Sequence, residues 1–353
     1  MPSSARRHPP LLRDFQATQH ADLFLVAAVS TVLGVRAWLH ATGYPQVGGA
    51  TLHIAHMLWG GLLMLLALGL LLLFLGRRPR RIAAFVGGVG FGLFIDEIGK
   101  FVTRDNDYFY RPAIALIYVT FVLVYLTMRS LYRRHATDDE RVVNALQEME
   151  QAVVHDLDEG ERDRAIAWIA GAGAHPMARS VETLIRTAPL VPAREPGRLA
   201  RWRRWIFGRY ARLAAHPRFA SGLVTFFVAQ LAFKLLHVVV LGVRDASTFA
   251  SPDRGLWSLT ADRYSTAEWL QLVSSLLSAL LVLRGVVAMR RSRLDALRWF
   301  QRSILVSIFL TQLFMFYRQQ WGALATLAFN LLVLAALDFV LAQERRAAAV
   351  SPP

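Results

Sequence analysis

The chain has 353 residues, 55% hydrophobic and 18% charged, with mean hydropathy +0.36, net charge +15 and no cysteine. Without cysteine there is no disulfide, thiolate nucleophile or thiolate-ligated metal or iron–sulfur centre. The apolar residues come in blocks of about twenty, the length that crosses a hydrocarbon core, so the positive charge reads as membrane topology and no nucleic-acid partner is needed to explain it.

The N-terminal tail, 1–20, is basic and proline-containing and lacks the apolar stretch and small-residue cleavage site of a signal peptide. Four spans are expected at approximately 21–42, 52–75, 82–103 and 112–131, which together make a first membrane segment, 21–131. A helical insert fills 132–218. Four more spans follow at approximately 219–243, 265–288, 299–317 and 320–342, making a second membrane segment, 219–342, before a tail at 343–353. The expected fold is all-α and polytopic, with about eight transmembrane helices arranged four plus four. Arginines crowd alternate connections: Arg77, Arg78, Arg80 and Arg81 after the second span, and Arg290, Arg291, Arg293 and Arg298 after the sixth. The remaining connections carry few. By the positive-inside rule both termini are expected to be cytoplasmic.

The insert begins with a helix-start signal, Thr137-Asp138-Asp139-Glu140, followed at helical spacing by Val142, Leu146, Met149, Val153 and Leu157. A second helix is expected after Asp158, with Ile166 and Ile169, and a third after Pro176, with Val181, Leu184 and Ile185. The insert reads as a connector packed on the membrane segments. Beyond the proline-rich linker 189–197, residues 198–213 interleave six arginines with Trp202, Trp205, Ile206, Phe207 and Tyr210. That composition fits a helix lying on anionic inner-leaflet lipid.

Thirty-eight of the forty basic side chains are arginine; the two lysines, Lys100 and Lys234, both lie in apolar spans. Ionisable groups inside a span are costly and mark functional sites first. Their neighbours share a depth. His53 and His56 open the outward end of the second span, Asp96, Glu97 and Lys100 close the third, and Lys234 and His237 lie in the outer half of the fifth. Glu268 opens the sixth span, and Arg36 lies near the end of the first, where it is expected to snorkel. Asp96 and Lys100, four residues apart, can pair on one helix. His53, His56 and Asp96 suit a divalent metal such as zinc, with Glu97 as general base on bound water. Equally, Glu97, Lys100 and Lys234 can relay protons or hold a cation. The bland alternative is a structural ion pair that orients helices. Gly87, Gly88, Gly90 and Gly92, ahead of the acids, read as close helix packing, and no broken-helix signature is expected around the polar groups.

The run GFGLFIDEIGKFVTRDNDYFYRPAIALIYV, after HIAHMLWGG, resembles a group of uncharacterised bacterial multi-pass membrane proteins. The resemblance covers roughly spans two to four and implies a membrane fold, but it carries no activity, substrate or cofactor. Three functions are therefore expected in order: transport or binding of a small cation or proton; a membrane-embedded metal-dependent hydrolase acting on a lipid or lipid-linked substrate; and a sensory or interaction protein working through the insert.

Overall fold

A computed structural model describes residues 11–43, 56–102, 110–132, 135–173, 175–192, 197–214, 219, 221–230, 232, 236 and 265–350. These residues are helical with no strand among them. Five helical stretches are long and apolar enough to cross a membrane: Ala17–Thr42, His56–Leu73, Pro112–Tyr132, Thr266–Ala288 and Arg293–Glu344. The chain forms two compact units, 1–108 with 120–195, and 109–119 with 196–353.

In the first unit, α3 (Arg77–Asp96) lies between α1 (Ala17–Thr42) and α2 (His56–Leu73). Glycines make this possible. A Cβ at Gly88 would stand 2.4 Å from the Phe24 carbonyl oxygen, and one at Gly92 2.5 Å from that of Ala28. On the other face a Cβ at Gly90 would stand 2.7 Å from the Gly60 carbonyl oxygen. The backbones are in contact, as the glycine run predicts. The pairings also fix direction. Phe24 meets Gly88 and Ala28 meets Gly92, so α1 and α3 run parallel, whereas Gly60 meets Gly90 and Ala67 meets Gly87, so α2 runs against them. Around the rest of α2 the leucines are exposed, Leu58, Leu62, Leu65, Leu68, Leu72 and Leu73 among them. A helix apolar on every side needs an apolar surrounding, which makes α2 a candidate span.

The third span differs from its expected form. α3 stops at Asp96, Glu97 takes φ −88° and ψ 6°, and a separate short helix, α4, covers Ile98–Val102. The expected continuous span at 82–103 is thus broken at its acidic pair. α3 also begins with four arginines in five residues, and it is not among the five stretches apolar enough to cross.

The insert folds as α6 (Asp138–Val153), α7 (Glu159–Ala170) and α8 (Ala178–Thr187), following α5 (Arg111–Tyr132). Full capping boxes start α6, through Thr137 and Glu140, and α7, through Asp158 and Glu161. Val142, Ala145, Ala165, Ile169, Val181 and Ile185 form its core. The expected apolar face is only partly realised: Val153, at the last residue of α6, is 79% exposed, and Leu184 is also exposed. Instead α6 buries a second, polar stripe of Glu140, Asn144, Glu148 and Gln151, spaced by four, four and three. This stripe receives the N-terminal segment and the start of α3. Arg13 pairs with Glu140 at 2.6 Å, the Phe15 amide donates to Asn144 Oδ1 at 2.8 Å, and Gln16 Nε2 donates to Glu148 at 2.6 Å. Arg77 pairs with both Glu148 and Glu161, and Arg80 with Asp14 at 2.9 Å. The insert is therefore clamped to the arginine-rich ends of the first helices.

The second unit holds the first turns of α5, α9 (Arg198–Ala214), α10 (Ser221–Gln230), α11 (Thr266–Ala288), α12 (Arg293–Val306), a π-helical turn at Ser307–Thr311, α13 (Gln312–Gln319) and α14 (Ala323–Val350). A 3₁₀ turn at Gln320–Gly322, with Gln320 at φ 49°, folds α14 back along α12. Arg293–Glu344 at 3.0 Å, a Gln301–Asp338 hydrogen bond and Gln312 Nε2 to the Ala323 carbonyl at 2.6 Å mark that antiparallel register. The last two expected spans thus appear as one helical hairpin. Phe227 stacks on Phe300 at 4.6 Å in its core, with Val282, Leu297, Ile304 and Leu337 around them. Ser278 bonds Ser303 at 2.9 Å and Ser307 at 3.0 Å across the α11–α12 seam. The π turn alters the local hydrogen-bond pattern, and the Tyr118 hydroxyl donates to the Ile308 carbonyl there. Of the fifth expected span, 219–243, the described residues are 219, 221–230, 232 and 236, all of them helical.

Candidate functional site

The helix directions of the first unit bring three chain segments to one level. Because α3 is parallel to α1 and antiparallel to α2, the end of α3 meets the start of α2 and the later turns of α1. Gly88, Gly92 and Asp96 are spaced four apart and so share a face. The first two bring α1 into backbone contact, and the third ends the stripe with a carboxylate opposite Arg36. A glycine seam is what lets so short a side chain reach its partners.

Asp96 is 0% exposed and Glu97 1%. Arg36 Nε donates to Asp96 Oδ1 at 2.5 Å, and Arg36 Nη2 to the Asp96 carbonyl at 2.9 Å. The second bond uses a main-chain acceptor near the helix end, where the break at Glu97 leaves carbonyls without intrahelical donors. Asp96 Oδ2 lies 3.2 Å from His56 Nε2. His56 Nδ1 in turn lies 3.1 Å from Glu97 Oε1. The imidazole is held between two buried carboxylates, one on each ring nitrogen.

Of the expected site residues, His56, Asp96, Glu97 and Arg36 are brought together. Arg36 does not snorkel: its side chain is 10% exposed and committed to Asp96. The partner expected for Asp96 was Lys100 on its own helix; in the structure it is bonded by Arg36 and His56 from two other helices. The backbone of Lys100 is helical within α4, and its side chain lies outside the described residues, as do His53, Lys234 and His237. Glu268 belongs to the second unit. There it forms the capping box of α11 with Ser265 and pairs with Arg318 at 2.8 Å. Among the described residues no group of three His, Asp or Glu side chains is arranged to hold a metal.

The break at Glu97 and the role of Arg36 escaped sequence reasoning. The four-residue spacing of Gly88, Gly92 and Asp96 carried the signal for Arg36, because it aims the acid at whichever helix the glycines admit.

No family model, curated protein or solved structure matches this chain.

Proposed function

We propose that the chain is a bacterial inner-membrane protein, with both termini cytoplasmic, that binds or transports a small cation in exchange for a proton. The observation that carries this reading is His56 held between Asp96 and Glu97, both almost fully buried, beside a break in the helix that supplies them. Broken helices at membrane depth are a recurrent way of exposing backbone and charge to a transported ion. Arginines at alternate connections support the orientation, which puts the cluster toward the outward side. The resemblance to uncharacterised multi-pass membrane proteins is compatible with it and adds no substrate.

Cation titration of the purified full chain in weak buffer, followed with a pH indicator, tests the exchange. Release of protons as lithium, sodium or potassium is added, and its loss in Glu97→Gln, is the expected result. Saturable cation binding with no proton released overturns the exchange.

A further inference from the structure

α9 carries a second binding surface. Arg198, Arg201, Trp202, Trp205, Arg209 and Arg212 recur at three- and four-residue steps and so lie along one side of the helix. Trp202 is 61% exposed and Trp205 56%, while all four arginines are exposed. The Arg209 guanidinium lies over the Trp205 ring, 5.0 Å from its centroid. Tyr210 leaves another side of the helix and packs against the core of the second unit, edge-on to Phe339 at 6.3 Å. The helix is thus anchored by one side and presents indoles and guanidinium groups on the other.

Depth identifies what that face meets. Phe339 adjoins Asp338, which accepts a hydrogen bond from Gln301. Within two residues of Gln301, the Trp299 ring is covered by Arg302 at 4.4 Å and by Arg284 of α11 at 5.4 Å. Arginine–indole stacks therefore occur at one level on α9 and on the arginine-rich ends of the neighbouring apolar helices. Tryptophan concentrates at the headgroup level of a bilayer, and guanidinium groups pair with lipid phosphates there. Tryptophan, arginine and span end coincide here.

We infer that α9 lies in the membrane interface and binds acidic phospholipid headgroups through Arg201, Arg209 and Arg212, with Trp202 and Trp205 set among the glycerol and upper acyl groups. Nothing in this depends on the His56 cluster. Single-stranded nucleic acid is the competing polyanion for such a face, but it would not explain the shared depth of the stacks.

The test uses the full chain in nanodiscs containing brominated phosphatidylglycerol or brominated phosphatidylcholine. The signal is the quenching difference between the wild type and Trp202→Phe/Trp205→Phe, which isolates this pair from the other tryptophans. Both lipids are expected to quench the pair, with phosphatidylglycerol favoured about fivefold, the factor that one interfacial arginine contact supplies. Arg201→Gln/Arg209→Gln/Arg212→Gln removes the preference and leaves the quenching by phosphatidylcholine. Equal quenching of the wild type by both lipids overturns the acidic-lipid site. No quenching of the pair, or protection of the pair by a single-stranded oligonucleotide in place of lipid, overturns the interfacial placement.

Discussion

Arg36 holds Asp96 by two bonds at once, one to the side chain at 2.5 Å and one to the main-chain carbonyl at 2.9 Å. The guanidinium therefore neutralises a buried acid and also caps the end of the helix that carries it. Few other residues do both, because only arginine presents several donors in a fixed planar fork.

Loss of that fork leaves Asp96 buried with too little positive charge. Arg36→Met is expected to destabilise the protein by about 3–5 kcal/mol, the range for breaking a buried pair from one side. Arg36→Met/Asp96→Leu is expected to recover most of the loss. Thermal unfolding in detergent, read by size exclusion, checks both; a single variant as stable as the wild type would mean that the pair carries little.

Gly88→Val is expected to force α1 away from α3, since its Cβ would stand 2.4 Å from the Phe24 carbonyl oxygen. Backbone cannot yield as a side chain does, so the loss should reach or exceed the about 1–3 kcal/mol of overpacked cores. Gly69→Ala on α2 is the control, with nothing within 4 Å of the added methyl. It is expected to be neutral or slightly stabilising. Melting temperatures of the two variants give the comparison.

The clamp on the insert responds to acid. The hydrogen bond from Arg13 holds the Glu140 carboxyl well below its ordinary 4.5, at about 2. An acid depressed on folding stabilises fully above its unfolded pKa and loses that contribution as pH falls to the folded value. Docking of the N-terminal segment is therefore expected to be constant above about pH 4.5 and to weaken progressively toward pH 2. Hydrogen exchange at the Phe15 amide, which donates to Asn144, reads it. Glu140→Gln should flatten the dependence in this window.

Asn144 closes a reciprocal pair with the N-terminal segment. It accepts from the Phe15 amide and donates to the Arg13 carbonyl, each at 2.8 Å. Asn144→Ala leaves both main-chain groups short of a partner and is expected to cost about 1–3 kcal/mol of docking. Faster exchange confined to the N-terminal segment and α6 would confirm it, and unchanged exchange would refute it.

Much of this was readable from residue types and spacing. Blocks of apolar residues mark the spans, and Thr137 with Glu140 marks the start of α6, because both signals are local. The common level of His56, Asp96 and Glu97 follows from counting turns in helices of alternating direction. What could not be read is which neighbour each polar group takes. The Asp96–Lys100 spacing allowed an intrahelical pair, but backbone contact through Gly88 and Gly92 placed Arg36 within reach. Glu268 was expected to join the same cluster, yet Ser265 and Arg318 of its own unit satisfy it. The buried polar stripe of α6 was overlooked for a related reason: a helix covered on two sides has no single apolar face for periodicity to find.

The cluster of His56, Asp96 and Glu97 is proposed to exchange a proton for a cation across the membrane. Proton flux into dye-loaded proteoliposomes under an imposed cation gradient tests it most directly. Wild-type protein is expected to move protons against the cation, whereas Glu97→Gln and His56→Gln, reconstituted to the same level, fall to the rate of empty liposomes. Flux in Glu97→Gln equal to that of the wild type would contradict the account.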